Sequence, residues 1–166
     1  MITPDWCRMM AAYNAEMNRR LYVAAARLPN EARRREEGAF FGSLHATLSH
    51  LIWADMMWMA RFDGGEKPSV GIRDSGRMVE TWEEMLRLRA SLDRRVADWT
   101  DTIEADWLAG EFHWFASSLQ QDMRRPTAIV VTHFFNHQTH HRGQAHAVLT
   151  RLGEDTGATD LVAVLP

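Results

Sequence analysis

The chain has 166 residues, of which 46% are hydrophobic and 25% charged, with a formal net charge of -3. That length allows one sizeable core and leaves two cramped, so a single domain is expected, and the faintly acidic balance excludes a phosphate-tracking face and hence a nucleic-acid partner. Cysteine occurs once, at Cys7, which rules out an intrachain disulfide, a cysteine-built zinc site and a CxxC redox motif and fits a reducing, cytoplasmic setting.

Met1 to Trp6 shows no basic stretch followed by an apolar signal core, so secretion is not expected. Thr3-Pro4-Asp5 instead reads as a helix start, with Thr3 as N-cap, Pro4 at the first helical position and Asp5 favourable to the helix dipole. Met9, Met10, Tyr13, Met17, Leu21 and Ala24 or Ala25 then repeat at helical spacing to about Leu28, before Pro29-Asn30. Cys7 on this helix reads as a small buried hydrophobe.

Residues 30 to 38 are polar and read as a connection with room for a helical turn. The densest basic group, Arg33-Arg34-Arg35, is followed at once by Glu36-Glu37, and Lys67 is the single lysine among 19 basic residues. So arginine-rich a composition lowers the weight of any one arginine, and most are read as solvated helix faces.

A second helix is expected from about Phe40 or Ser43 to Phe62, with Leu44, Leu48, Leu51, Ile52, Met56 and Met59 on its apolar side and His50 inside it. Its richest apolar run, Leu51 to Ala60, is short and broken by Asp55, which excludes a membrane span of about 20 apolar residues. Asp63-Gly64-Gly65 ends it, and Pro68, Gly71 and Gly76 make 63 to 80 the longest irregular segment.

Thr81-Trp82-Glu83-Glu84 has the form of a capping box, and a third helix follows through Met85, Leu88, Leu92 and Val96 to about Trp99. Farther on, the alternation of Glu111-Phe112-His113-Trp114-Phe115 suggests a short extended stretch or hairpin. Pro126 fits the first position of a fourth helix, which carries Ile129, Val130, Phe134, His137, His141, Ala145 and Val148 and ends at Leu152-Gly153. The tail from 154 is expected to be at least partly ordered, with Leu161 to Leu165 able to pack on a neighbouring surface. Four such helices predict an all-α four-helix bundle, with long links that leave room for crossover connections.

The fourth helix holds His133, His137, His140 and His141. His133 with His137, or His137 with His141, are one-turn pairs able to reach one ion, and His137 with His140 is a third option; His133 and His141 are about 12 Å apart along the axis, too far to share bonds of about 2 Å. His50 on the second helix could add a third nitrogen, since bundles build metal sites from facing helices. Three neutral imidazoles leave an ion its full charge and an open position, so a bound water or thiol would ionise near neutral pH. No histidine follows a glutamate at the spacing of di-iron bundles, and neither His-Glu-x-x-His nor Gly-x-Ser-x-Gly occurs. Against these readings stand ordinary ones: His45, His113 and His146 as packed or surface residues, Asp55 as a packing anchor rather than a polarising group, Arg142 as a helix-surface cation and Gly143 as a close-packing point. Trp53, Trp114 and His113 are the guesses for a substrate pocket.

Asn136-His137-Gln138-Thr139-His140-His141-Arg142-Gly143-Gln144 resembles the final-helix signature of the DinB (DNA-damage-inducible) family of DinB/YfiT-like metalloenzymes. The likeness extends to Tyr13-Asn14 and Asn18-Arg19-Arg20-Leu21 on the first helix and to Ser43 through Asp55 on the second. The resemblance implies His50, His137 and His141 as metal ligands, an up-down-down-up bundle, a divalent ion such as zinc, nickel or iron, and a homodimer. It further implies a thiol-dependent S-transferase-type activity on a small-molecule electrophile, with a low-molecular-weight thiol as cosubstrate. A metal-dependent hydrolase using the same site, or a non-catalytic metal- or ligand-binding bundle, are the alternatives.

Overall fold

The computed structural model describes residues 1–117 and 119–165. The chain is mostly helical, and its long helices begin where capping residues satisfy the first free backbone N–H groups. Helix α1 (Pro4–Arg27) starts with Thr3 Oγ1 accepting from the Trp6 amide at 3.2 Å and stops at Leu28, held extended by the following proline. Its buried stripe includes Cys7, Ala11, Met17, Leu21 and Ala25, whereas Met9, expected in the stripe, is 36% exposed. The turn anticipated after it is α2 (Asn30–Arg34).

Helix α3 (Leu44–Phe62) is capped by Ser43, which accepts from the Ala46 amide at 3.1 Å. Buried residues ring it through most of its length, as suits a helix surrounded by protein. The segment expected to be irregular, 63 to 80, contains a 3-10 turn, Ile72–Arg77, strapped along α3. Three hydrogen bonds do this: Ser49 Oγ donates to Ser75 O at 2.7 Å, the Val79 amide donates to Ser49 Oγ at 3.1 Å, and Trp53 Nε1 donates to Val70 O at 2.8 Å.

Helix α4 (Trp82–Asp101) begins at the predicted box, with Thr81 Oγ1 accepting from the Glu84 amide at 3.1 Å. A short α5 (Ala105–Ala109), which no strong sequence signal marks, leads into a hairpin of β1 (Glu111–Ala116) and β2 (Gln121–Pro126), paired antiparallel from Glu111 opposite Pro126 to Ala116 opposite Gln121. Phe112 and Trp114 point inward toward Phe62 and Trp58, while His113 and Phe115 face out. Helix α6 (Thr127–Arg151) follows directly. Pro126 closes the hairpin and caps this helix rather than occupying its first position, and Ile129 is 53% exposed. Gly153, with φ 83°, ends it in the left-handed conformation that glycine adopts freely.

Helices α1 and α3 each pack against both α4 and α6. Midway along them runs a buried polar layer drawn from all four. Asp55 pairs with Arg89 at 2.6 Å, Arg89 with Asp93 at 2.9 Å, Asn18 Nδ2 donates to Asp93 Oδ1 at 2.8 Å, and Gln138 donates to Asp55. Apolar clusters lie to either side, one around Leu21, Leu48, Met85 and Val148, the other around Met59, Trp99, Val131 and Phe134. Asp55 is thus the packing anchor of the two roles considered for it, its charge offset by arginine because a buried lone carboxylate is costly.

The tail is tied down by polar contacts, and its Leu161 to Leu165 end lies against α1 with Leu161, Val164 and Leu165 half-buried. Tyr13 donates to Thr159 O at 2.5 Å, Arg20 to Ala158 O at 3.0 Å, and Arg27 pairs with Glu154 at 2.6 Å. The last turn, α7 (Leu161–Val164), buries none of its residues. No helix among the described residues is long and apolar enough to cross a membrane.

Candidate metal centre

His50 sits on α3 just past the point where the 3-10 turn crosses it, and His137 and His141 lie one turn apart on the face of α6 turned toward it. The structure brings these three together: each offers a ring nitrogen, and the three nitrogens lie within 4.8 Å of one another. Nε2 of His50 is 3.3 Å from Nε2 of His137. A tetrahedral ion with bonds of about 2.05 Å sets neighbouring ligand nitrogens about 3.3 Å apart, so this edge already has the length a metal needs.

The far nitrogens of two of the rings are held. Ser75 Oγ donates to Ile72 O at 2.7 Å, which commits its proton, so toward His50 Nδ1, 2.9 Å away, it accepts. Gln144 Oε1 accepts from His141 Nδ1 at 2.8 Å. Both contacts put the proton on Nδ1 and leave Nε2 bare, the tautomer a metal ligand requires. Burial, reinforced by the mutual repulsion of the rings, holds His50 and His137 down to about 3, and His141 is lowered for the same first reason. The imidazoles are therefore neutral at physiological pH, with lone pairs free to coordinate. Phe41 stacks on the His50 ring at 4.0 Å between centroids and faces His141 at 5.4 Å, walling one side.

The other histidines divide differently. His133 stands edge-on to Trp58 at 5.4 Å, and His140 accepts from Gln144 Nε2 at 3.2 Å; neither joins the converging set. His45 packs against Val79 O at 2.8 Å, His146 meets Thr156 at 2.5 Å, and His113 is exposed.

Two expectations fail nearby. Arg142 is buried, donating to Asn14, with its guanidinium 5.8 Å from the Tyr13 ring, because it continues the inward stripe of Gln138, Ala145 and Leu149. Burial lowers it to about 10. Gly143 is exposed, and a Cβ placed there would meet nothing within 4 Å, so it is no close-packing point.

Two cavities reach the imidazoles, sharing His50, Ile72 and His137 and otherwise having different walls. The first, about 440 Å³, is largely apolar, with the aromatic rings of Trp53, Trp58 and Trp114 in its walls. The second, about 500 Å³ and more open, is bounded by Phe40, Phe41, Arg73, His140 and His141. Trp53 and Trp114 thus line a cavity as guessed, and His113 lines neither.

Sequence reasoning assigned no role to Ser75, Phe41 or Gln144. Gln144 carried a readable signal, three residues beyond His141 and so on the same helix face; Ser75 and Phe41 lie in irregular segments where spacing says nothing of position. The site fits a metal-binding protein. Compared with known families, the chain matches the model of the DinB family over residues 1–165. No curated protein matches it.

Proposed function

This chain belongs to the DinB family, and from that membership and the three converging imidazoles we propose that it is a divalent-metal-dependent enzyme, a thiol-dependent S-transferase acting on small electrophiles. His50, His137 and His141 are the ligands in this proposal, and zinc, nickel or iron the ion. Such an ion supplies Lewis acidity, lowering the pKa of a thiol at its open coordination position.

The chain's own residues contribute the rest. Ser75 and Gln144 fix the two rings they touch, so that the nitrogens need little rearrangement to bind. Phe41 shields the rings from one side. The observation that carries the transferase reading is the pair of cavities meeting at His50 and His137. A hydrolase needs one organic substrate and water, whereas a transferase must hold two organic molecules against one centre. The open cavity beside Arg73 and His140 suits a polar thiol; the aromatic one suits the electrophile and keeps water from it. With this reading go a single domain, an up-down-down-up bundle of α1, α3, α4 and α6, a homodimer and a cytoplasmic location.

The test is conjugation of common cellular thiols to a haloarene and an epoxide by untagged, metal-loaded protein. The proposal expects thiol-dependent turnover that falls at least 100-fold in His137→Ala. Turnover of esters with water but of no thiol would replace it with hydrolysis, and inactivity with every pair would leave a binding bundle.

A further inference from the structure

The aromatic cavity contains a positive charge that no acidic group among the described residues answers. Arg61 is half-buried in its wall, with the guanidinium carbon 4.5 Å from the centroid of the Trp58 ring. Trp58 is itself fixed by Phe62, Trp114 and His133, at 5.7, 5.8 and 5.4 Å, so the cation rests on an immobilised platform. No Asp, Glu or Lys shares the cavity among the described residues, and Arg61 makes no ion pair with any of them. The buried arginines are each held by a polar partner: Arg89 lies between Asp55 and Asp93, Arg33 donates to Ala25 O and Leu28 O, and Arg142 donates to Asn14. Burial alone shifts Arg61, downward, with no acidic neighbour to oppose it. A desolvated cation without a counter-charge is costly to keep, and a ligand anion would relieve that cost.

We infer that Arg61 is the specificity-determining residue of this cavity and selects a substrate with an elongated apolar or aromatic body ending in a carboxylate. The carboxylate is gripped by the guanidinium, the body lies among Trp53, Trp58 and Trp114, and the opposite end reaches the imidazoles. At the end of the cavity away from the imidazoles Arg61 is the one charged side chain among the described lining residues, and one cation matches one negative charge, which favours a carboxylate over a doubly charged phosphate ester. His50 and Arg61 are about three turns of α3 apart, roughly 16 Å between their backbones along the axis, and the cavity that has both in its walls suits an elongated body. The inference builds on the proposed reaction for what happens at the far end, but carboxylate recognition itself is measurable without the metal.

Calorimetric titration with 4-phenylbutyrate and with its amide separates the two. Both are titrated into metal-loaded and chelator-treated full-length protein, wild type and Arg61→Met, Arg61→Lys and Arg73→Met. Wild type is expected to prefer the acid at least tenfold with or without metal; Arg61→Met loses the preference, Arg61→Lys keeps part of it and Arg73→Met keeps it all. A preference that survives Arg61→Met, or no binding of the acid at millimolar concentration, overturns the inference. So does a preference that disappears on chelation, which would place the carboxylate on the metal. If metal analysis finds no ion yet the Arg61-dependent preference stands, the metal reading has failed and this one has not.

Discussion

Gln144 Oε1 lies 2.8 Å from Nδ1 of His141, one turn along the same helix, while Gln144 Nε2 donates to His140 at 3.2 Å. The amide therefore fixes both the orientation and the tautomer of a proposed ligand. Gln144→Leu is expected to weaken metal binding by about 10- to 100-fold, the usual effect of losing such a partner. Gln144→Glu, which keeps an acceptor, should recover most of it. Competition against a chromophoric chelator reads both, and unchanged affinity in Gln144→Leu would remove the amide from the site.

The Asp55–Arg89 pair, 2.6 Å apart and at the centre of the polar layer, is expected to behave as buried pairs do. Arg89→Met strands the Asp55 carboxylate and should cost about 3–5 kcal/mol in urea denaturation. The double change Asp55→Leu with Arg89→Met removes both charges and should cost less than the single one. A loss in the double variant equal to the sum of the Arg89→Met and Asp55→Leu losses would mean that the charges act independently.

The metal-free protein should lose stability on acidification. His50 and His137 are held to about 3 in the folded chain against an ordinary 6.5, so between those values the unfolded chain binds more protons and stability rises with pH. Asp55, pushed up to about 6 by burial, works the other way between 3.8 and 6. Two histidines, each displaced further than the one carboxylate, outweigh it. Melting temperatures of chelated protein should therefore fall from pH 7 toward pH 4, and less steeply in His50→Gln.

Cys7 is buried at the end of the core beside Met59 and Phe135, and burial pushes its thiol up to about 11. Iodoacetamide at pH 8 should leave it unmodified in native protein and modify it fully in urea. Rapid native labelling would show that the amino-terminal part of α1 opens.

Much of this was legible in the sequence because caps and stripes are local. Thr3 and Thr81 are legible as caps, and the structure finds both bonds to the amide three residues on; of the two starts open for the second helix, Phe40 and Ser43, the structure takes Ser43, which caps in the same way. The convergence of His50 with His137 and His141 was not legible from spacing, which left three histidine pairs open; that choice came from family resemblance. Arg142 was misjudged because arginine is ordinarily a surface residue, although its position on the stripe through Gln138 and Ala145 pointed inward. Ser75 could not have been found, since its place depends on how residues 63 to 80 strap along α3 through Ser49 and Trp53.

The central claim is that His50, His137 and His141 hold one divalent ion. Elemental analysis of untagged, gel-filtered wild-type protein beside the three single alanine variants tests it most directly. The account predicts close to one divalent ion per chain in wild type, a large loss in each variant, and no loss in His133→Ala. Metal-free wild type that takes up no divalent ion on titration, or His50→Ala retaining the full complement, would contradict it.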